Sequence, residues 1–198
     1  MIIGIDFDNT IIKYDNLFYE IALEKKLIPK NLQKKKEKVK NFFINNNIEK
    51  QWTMLQGEVY GSKISRAKPF KGFIESIKYL NELSVPFFII SHKTKFPYLG
   101  EKVDLHESAL NWMDSNKFFD SDGLNMSISQ VYFEPTKERK AKKIVDKGCT
   151  HFIDDLPEIL DIISDEVKKI FFSPNSSLNN VNNWIVMNSW EKLPSTLK

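Results

Sequence analysis

Cysteine and histidine are scarce in this sequence of 198 residues, which contains one cysteine, Cys149, and three histidines. A single cysteine cannot form an internal disulfide, so the chain lacks the disulfide framework of many small secreted proteins. So few cysteines and histidines also form no cluster that suits zinc. The acidic opening, residues 1–8, has neither the cationic start nor the apolar stretch of a signal peptide, and we expect a cytoplasmic protein.

Long apolar runs and biased composition are missing as well. No stretch approaches the roughly 20 apolar residues that a membrane-spanning helix needs, so the sequence predicts no membrane partner. Seven glycines, eight prolines and a mean hydropathy of −0.37 are ordinary for a globular protein. They exclude a collagen-like chain and argue against disorder. The length suits one globular domain with an insertion.

The excess of positive charge is small. The sequence has 29 Lys and Arg against 26 Asp and Glu, a formal net charge of +3. This balance is compatible with an anionic substrate but does not predict a nucleic-acid partner, which requires a basic patch with several phosphate contacts. The segment 34–40 (KKKEKVK) has two interpretations, a nucleic-acid arm and a solvated helix face. The second is the more common meaning of such a run.

Short apolar segments alternate with amphipathic ones along most of the chain. Met1–Phe7 and Val85–Ser91 are apolar runs typical of strands that are buried on both faces. Amphipathic periodicity predicts a helix over Asp104–Asn116, which we expect to pack on a sheet. Further strands are predicted at Ile128–Phe133, His151–Ile153, Lys169–Phe172 and Trp184–Met187, and further helices at 137–147 and 156–163. The alternation predicts an α/β fold with a Rossmann-like, doubly wound parallel sheet.

Residues capable of chemistry follow three of the predicted strands. They are Asp6-Phe7-Asp8-Asn9-Thr10, Ser91-His92-Lys93 and Asp154-Asp155. Because ligands of such sheets bind beyond the carboxyl ends of the strands, we expect these side chains to gather at one edge. Acids gathered there repel one another unless a cation neutralises them. Mg²⁺ prefers oxygen ligands, and it is the cofactor that the sequence predicts.

Two other interpretations of the first acidic segment need to be weighed. An EF-hand loop fails, because it requires glycine where Ile11 stands and a bidentate glutamate where Leu17 stands. A turn in which Asp8 or Thr10 caps the following helix stays open, as does a capping role for Asp155. Capping does not explain Asp6, because an unpaired carboxylate at the end of a buried strand is costly.

The ordered set of motifs resembles that of the haloacid dehalogenase-like (HAD) hydrolases, a superfamily that consists mostly of magnesium-dependent phosphatases. Four elements carry the resemblance: Asp6-x-Asp8-x-Thr10 after an apolar strand, Ser91 after VPFFII, Lys140 or Lys137 on a predicted helix, and Asp154-Asp155 after HFI. The serine and lysine elements are weak evidence for the resemblance when each is taken alone. The first motif is fairly specific, and all four occur in the order that the superfamily shows.

The resemblance implies a role for each matched residue. Asp6 would be the nucleophile that attacks phosphorus, and Asp8 would protonate the leaving group and later activate water. The dehalogenases lack this second acid, so its presence implies phosphoryl transfer. The residues implied for phosphate binding are Ser91 and either Lys140 or Lys137, and Lys140 is preferred because the apolar Ile144 follows it by one helical turn. His92 directly follows Ser91, so we expect it to border the site and contact the phosphate as well. The implied Mg²⁺ ligands are the Asp6 side chain, the Asp8 backbone carbonyl and Asp154, with Asp155 binding through water or bracing the others.

The stretch between the first two motifs is where this superfamily inserts a cap over the active site. Helical periodicity suits a small all-helical cap here, so we expect residues 13–68 to form the cap and residues 1–12 and 69–198 the core. The implied reaction is Mg²⁺-dependent hydrolysis of a small phosphorylated metabolite through an aspartyl-phosphate. A phosphotransferase or phosphomutase with the same nucleophile and a nucleic-acid end phosphatase are the alternatives. The particular substrate and the oligomeric state are left open.

Overall fold

The chain divides into two compact units in the computed structural model, which describes residues 1–174, 176, 180–181 and 183–197. The first unit comprises Met1–Ile12, Pro69–Lys93 and Lys117–Lys198, and the second comprises Lys13–Lys68 and Thr94–Asn116. The second unit therefore contains the range expected to form a cap, together with a segment that directly follows Lys93.

Strands and helices alternate in the first unit and helices predominate in the second. The strands are β1 (Ile3–Ile5), β2 (Ile12–Lys13), β3 (Lys68–Pro69), β4 (Phe87–His92), β5 (Val131–Glu134), β6 (His151–Asp154), β7 (Lys168–Phe172), β8 (Asn180–Val181) and β9 (Trp184–Met187). The helices are α1 (Asp15–Glu24), α2 (Lys36–Asn45), α3 (Glu49–Tyr60), α4 (Phe73–Glu82), α5 (Leu105–Ser115), α6 (Lys137–Asp146), α7 (Pro157–Ile162) and α8 (Leu193–Thr196).

A seven-stranded sheet with the order β5-β4-β1-β6-β7-β9-β8 forms the first unit's centre. All neighbouring strands are parallel except β8, which runs antiparallel to β9. From β1 the chain adds β4 and β5 on one side and then crosses to add β6, β7 and β9 on the other. The structure thus confirms the predicted doubly wound α/β fold, and its topological switch point lies beside β1.

Helices cover both faces of the sheet. Successive residues of a strand point to opposite faces, and Phe171 and Phe172 of β7 show this directly. Phe171 packs on a buried cluster that includes Ile144 of α6 and Leu160 of α7. Phe172 lies against Trp190, whose ring is 4.9 Å from that of Phe73 in α4. Burial on both faces explains why the strands appear as continuous apolar runs in the sequence.

The second unit is a helical assembly with an aromatic centre. The rings of Phe18 and Trp52 stack at 4.9 Å, and Phe18 also contacts Tyr60 at 5.5 Å. Helix α5 belongs to this unit and packs against α3, while the Trp112 indole donates to the carbonyl of Ala67 over 2.9 Å. The expectation that this helix packs on a sheet is therefore wrong, because an apolar stripe shows which face is buried but not what covers it.

The strand predicted at Ile128–Phe133 begins later than expected. Residues Ile128–Gln130 form a 3₁₀ turn that Ser127 and Gln130 close with a capping box, and the strand occupies Val131–Glu134. Local capping by these polar side chains therefore overrides the alternating pattern. Among the described helices, none combines the length and the apolar character that crossing a bilayer requires.

Gly4 sits where β1 and β6 pack too closely for any side chain. It lies opposite Phe152, and a Cβ atom here would approach the Phe152 ring to 2.5 Å and the Cys149 sulfur to 3.1 Å. We predict that Gly4→Ala lowers the free energy of unfolding by about 1–3 kcal/mol, as overpacked cores do. Urea denaturation measures this change.

A double-mutant cycle tests the stated cause. Phe152→Leu leaves a smaller side chain opposite Gly4, so Gly4→Ala should cost less in that background than in the wild type. An equal cost in both backgrounds would show that the ring of Phe152 does not exclude the alanine side chain.

Candidate active site

The first acidic motif lies at the carboxyl end of the central strand. The backbone N–H of Asp6 still donates to the carbonyl of Ile153 over 2.9 Å, and the side chain is 4 % exposed. After Asp8 the chain turns through Asn9, whose φ of 59° lies in the left-handed region. The Trp190 indole holds this turn by donating to the carbonyl of Thr10 over 2.9 Å. The pairing of β1 with β4 and β6 and the turn at Asn9 together place Asp6 and Asp8 at the carboxyl edge of the sheet.

The turn does not cap the next helix. Helix α1 begins at Asp15, its N-cap is Tyr14, and no side chain caps it. Helix α7 has Leu156 at its N-cap, and the backbone N–H of Leu156 donates to Asp154 over 2.9 Å. Capping by Asp8, Thr10 or Asp155, which the sequence left open, is therefore wrong.

A buried lysine joins the first and last acidic motifs. The Lys140 ammonium lies 2.5 Å from Oδ1 of Asp6 and 2.6 Å from Oδ2 of Asp154. Ser91 at the end of β4 donates its hydroxyl to the same Oδ1 atom of Asp6 over 3.1 Å. All four side chains are at least 95 % buried. The structure thus brings together residues from β1, β4, β6 and α6 that are up to 148 positions apart in the sequence.

Helix α6 determines which lysine reaches the acids. Thr136 caps the helix by accepting from the backbone N–H of Arg139, and Lys140 and Ile144, one turn apart, are its buried residues. Lys137 is instead partly exposed and pairs with Glu158. Of the two lysines that the sequence leaves open, the structure places Lys140 at the acidic motifs and Lys137 outside them.

Burial and charge oppose each other within this cluster. Burial alone lowers the pKa of Lys140, but the carboxylates of Asp154 and Asp6 outweigh that effect and raise the pKa above its ordinary value. Burial also raises the pKa of Asp154, which the Lys140 charge lowers and the Asp6 charge raises. One ammonium thus stabilises two carboxylates that water cannot solvate, and a further cation would be favourable beside them.

The donor atoms suit a hard divalent cation. Carboxylate oxygens of Asp6, Asp154 and Asp155 all lie within 4.8 Å of one another. Thr10 donates to the half-buried Asp155 over 3.5 Å. Three carboxylates outnumber the single ammonium of Lys140, and every donor of the group is oxygen. This donor set fits Mg²⁺, which proteins hold through carboxylates and water.

The carboxylate of Asp8 has a different partner from that of Asp6. It accepts from the Lys93 ammonium, which lies 2.8 Å from Oδ2 and 3.1 Å from Oδ1. Lys93 is 4 % exposed. Its position directly after a buried strand already marks it in the sequence as a residue capable of chemistry, but its partner Asp8 is not predicted there. The neighbouring His92 directs its ring to the carbonyl of Pro135 at 3.2 Å rather than to the acids.

Comparison with solved structures identifies the fold. A HAD-superfamily hydrolase from Ehrlichia chaffeensis is 13 % identical over 98 % of this chain and 93 % of its own, with a TM-score of 0.56. A HAD hydrolase of family IA, variant 3, from Entamoeba histolytica is 12 % identical over 96 % of this chain and 94 % of its own, with a TM-score of 0.60. A Thermotoga maritima protein with the provisional name β-phosphoglucomutase is 12 % identical over 99 % of this chain and 97 % of its own, with a TM-score of 0.53.

These likenesses show the fold alone, since the identities are low. No protein-family model matches the chain, and no curated protein matches it in sequence. The chain has the fold of HAD-superfamily hydrolases, as the motifs of the sequence predict.

The two lysines of α6 provide a matched pair for testing the cluster. Lys140→Met leaves two buried carboxylates without their shared cation, and we predict a loss of about 3–5 kcal/mol in the free energy of unfolding. Lys137→Met removes a partly exposed lysine one turn earlier and should change the free energy of unfolding by less than about 0.5 kcal/mol. Urea denaturation in the presence of EDTA measures both. Equal losses in the two variants would contradict the described cluster.

Proposed function

We propose that this chain is a Mg²⁺-dependent phosphatase that hydrolyses a small phosphorylated metabolite through an aspartyl-phosphate. The observation that carries the proposal is the buried cluster of Asp6, Asp154, Lys140 and Ser91 beside the sheet's switch point. A buried carboxylate that is held by a serine and a lysine, next to further acids, suits a nucleophile that must approach an anionic phosphoryl group. The fold of the HAD hydrolases supports the same activity.

Asp6 is assigned as the nucleophile. Ser91 and Lys140 both donate to Oδ1, so we assign attack on phosphorus to Oδ2. The bond from Oδ2 to phosphorus forms as the bond to the leaving oxygen breaks. Lys140 and Ser91 offset the negative charge of the phosphoryl oxygens, which otherwise repel a carboxylate.

Asp8 is assigned the proton transfers. It gives a proton to the leaving oxygen in the first step, which leaves Asp8 ionised. In the second step it takes a proton from water as the water oxygen attacks phosphorus, the bond to Asp6 breaks and inorganic phosphate leaves. One carboxyl group thus serves as acid and then as base, which requires a second acid beside the nucleophile.

Asp6, Asp154 and Asp155 would hold the Mg²⁺ ion, and the Asp8 backbone carbonyl stays a predicted ligand. When bound, the ion supplies positive charge that stabilises the phosphoryl oxygens in the transition state. The chain's own contribution is to bury Asp154 fully and to fix it through the Leu156 N–H and the Lys140 ammonium.

We assign the second unit as the cap that selects the substrate. Its two segments, Lys13–Lys68 and Thr94–Asn116, begin shortly after Asp8 and directly after Lys93. Each segment therefore leaves the first unit next to a strand end that carries chemistry. A cap connected in this way would exclude water from the reaction and supply substrate contacts.

A phosphomutase is the second candidate, favoured by the likeness to the Thermotoga maritima protein. The two functions share the first step and differ in the acceptor of the phosphoryl group. Release of inorganic phosphate from a phosphorylated sugar indicates the phosphatase. Transfer to a sugar hydroxyl without release indicates the mutase.

Removal of the nucleophile is the first test. Asp6→Asn preserves the side-chain volume but removes the attacking carboxylate, so we predict at least about a 10³-fold loss of p-nitrophenyl phosphate hydrolysis with Mg²⁺. The control is Asp165→Asn, which removes a fully exposed carboxylate and should retain the wild-type rate. Substantial turnover by the Asp6 variant would rule out the assigned nucleophile.

Metal binding is tested separately from turnover. Asp154→Asn should weaken the Mg²⁺ affinity by at least about tenfold, because it removes one carboxylate of the three-acid group. Asp161→Asn changes an exposed acid on the adjacent helix α7 and should leave the affinity unchanged. Isothermal titration with MgCl₂ measures both variants. Wild-type affinity in the Asp154 variant would remove this residue from the proposed ligands.

A further inference from the structure

Lys93 forms an ion pair that the roles assigned above do not require. Its ammonium bonds both oxygens of Asp8. The Lys93 side chain is 3 % exposed and that of Asp8 is 19 % exposed. An ammonium buried to this degree needs hydrogen-bond acceptors in place of water, because its desolvation costs several kcal/mol. Lys93 is therefore constrained to stay at Asp8.

The backbone on both sides of this pair is fixed. Lys93 continues the pairing of β4 with β5, since its N–H donates to the carbonyl of Glu134 over 2.9 Å. Asp8 forms an isolated bridge with Ile12 across the turn at Asn9. With the backbone paired on both sides, the ion pair links the direction of the Asp8 carboxylate to the end of β4.

The two buried lysines of the site serve different acids. Lys140 donates to Asp6 and Asp154, whereas Lys93 donates to Asp8. The ammonium of Lys93 also lies 5.7 Å from the ring centre of Phe7, between the two aspartates in sequence. This geometry favours a lysine that orients the second acid over one that binds the phosphoryl group.

We propose that Lys93 is a positioning residue that holds the Asp8 carboxyl group in the orientation needed for proton transfer to the leaving oxygen. The proposal rests on the proposed phosphatase function. Its consequence is specific: loss of Lys93 should impair the step that needs the proton and should leave phosphate binding unchanged. A proton moves from Asp8 to the leaving oxygen as the phosphorus–oxygen bond breaks, and Lys93 itself keeps its protons.

Crystal structures test the positioning directly. In the wild type Asp8 should adopt one rotamer that contacts Lys93. In Lys93→Met, which removes the charge and keeps most of the side-chain length, Asp8 should turn away or occupy several rotamers. Lys95→Met is the matched control, because Lys95 lies two residues later with a side chain 61 % exposed and 3.6 Å from Asp104. An unchanged Asp8 rotamer in Lys93→Met would overturn the proposal.

Two phosphate esters test the consequence. Phenyl phosphate has a basic leaving group that needs a proton, whereas p-nitrophenolate leaves without one. We expect Lys93→Met to lower kcat/KM for phenyl phosphate at least about tenfold more than for p-nitrophenyl phosphate, because general-acid catalysis contributes only to the first. Lys93→Arg should restore part of the loss, and Lys95→Met should behave as the wild type. Equal losses for both esters would contradict the positioning role.

Inorganic phosphate separates positioning from binding. Calorimetric titration of phosphate, with Mg²⁺ present, should give the same affinity for the wild type and for Lys93→Met. A tenfold weaker affinity with Asp8 unmoved would make Lys93 a phosphate ligand and overturn the proposal. If the wild type hydrolyses neither ester, the proposed function fails. The crystal structures still decide whether Lys93 orients Asp8.

Discussion

The ammonium of Lys140 between two buried carboxylates is the interaction on which the site depends. It joins the ends of β1 and β6 to helix α6, and burying these carboxylates without a cation would be costly. Asp6, Asp154 and Asp155 together still outnumber this one lysine. The Lys140 ammonium therefore stabilises the cluster in the folded chain, and the remaining negative charge favours binding of a metal cation. The stability of the fold and the proposed chemistry therefore both depend on the charges of this acid–lysine cluster.

The two aspartates of the first motif are separated by only one residue but lie in different surroundings. Asp6 is held by Lys140 and Ser91 at the strand end, while Asp8 follows on the turn and pairs with Lys93. Separate partners allow two carboxyl groups to perform different tasks, one as nucleophile and one as acid and base. The boundary between strand and turn is what separates them.

Local patterns in the sequence were sufficient to predict the sheet and the acids at its edge. A buried parallel strand is a continuous apolar run, and the residues that bind ligands follow directly after its carboxyl end. The local patterns favoured Lys140 over Lys137, because the apolar Ile144 follows Lys140 by one helical turn, but they left Lys137 open, since the choice depends on how α6 is rotated against the sheet. The partner of Lys93 lies 85 positions away in the sequence. The place of α5 in the second unit likewise depends on tertiary packing, which an apolar stripe does not specify.

The central claim is that Asp6 carries the phosphoryl group. Borohydride reduces an aspartyl-phosphate to homoserine, which peptide mass spectrometry locates in the sequence. After incubation with p-nitrophenyl phosphate and Mg²⁺, followed by rapid borohydride quenching, we expect homoserine at position 6 and aspartate at position 8. Turnover of the ester with position 6 unmodified, or with homoserine at position 8 instead, would contradict the account.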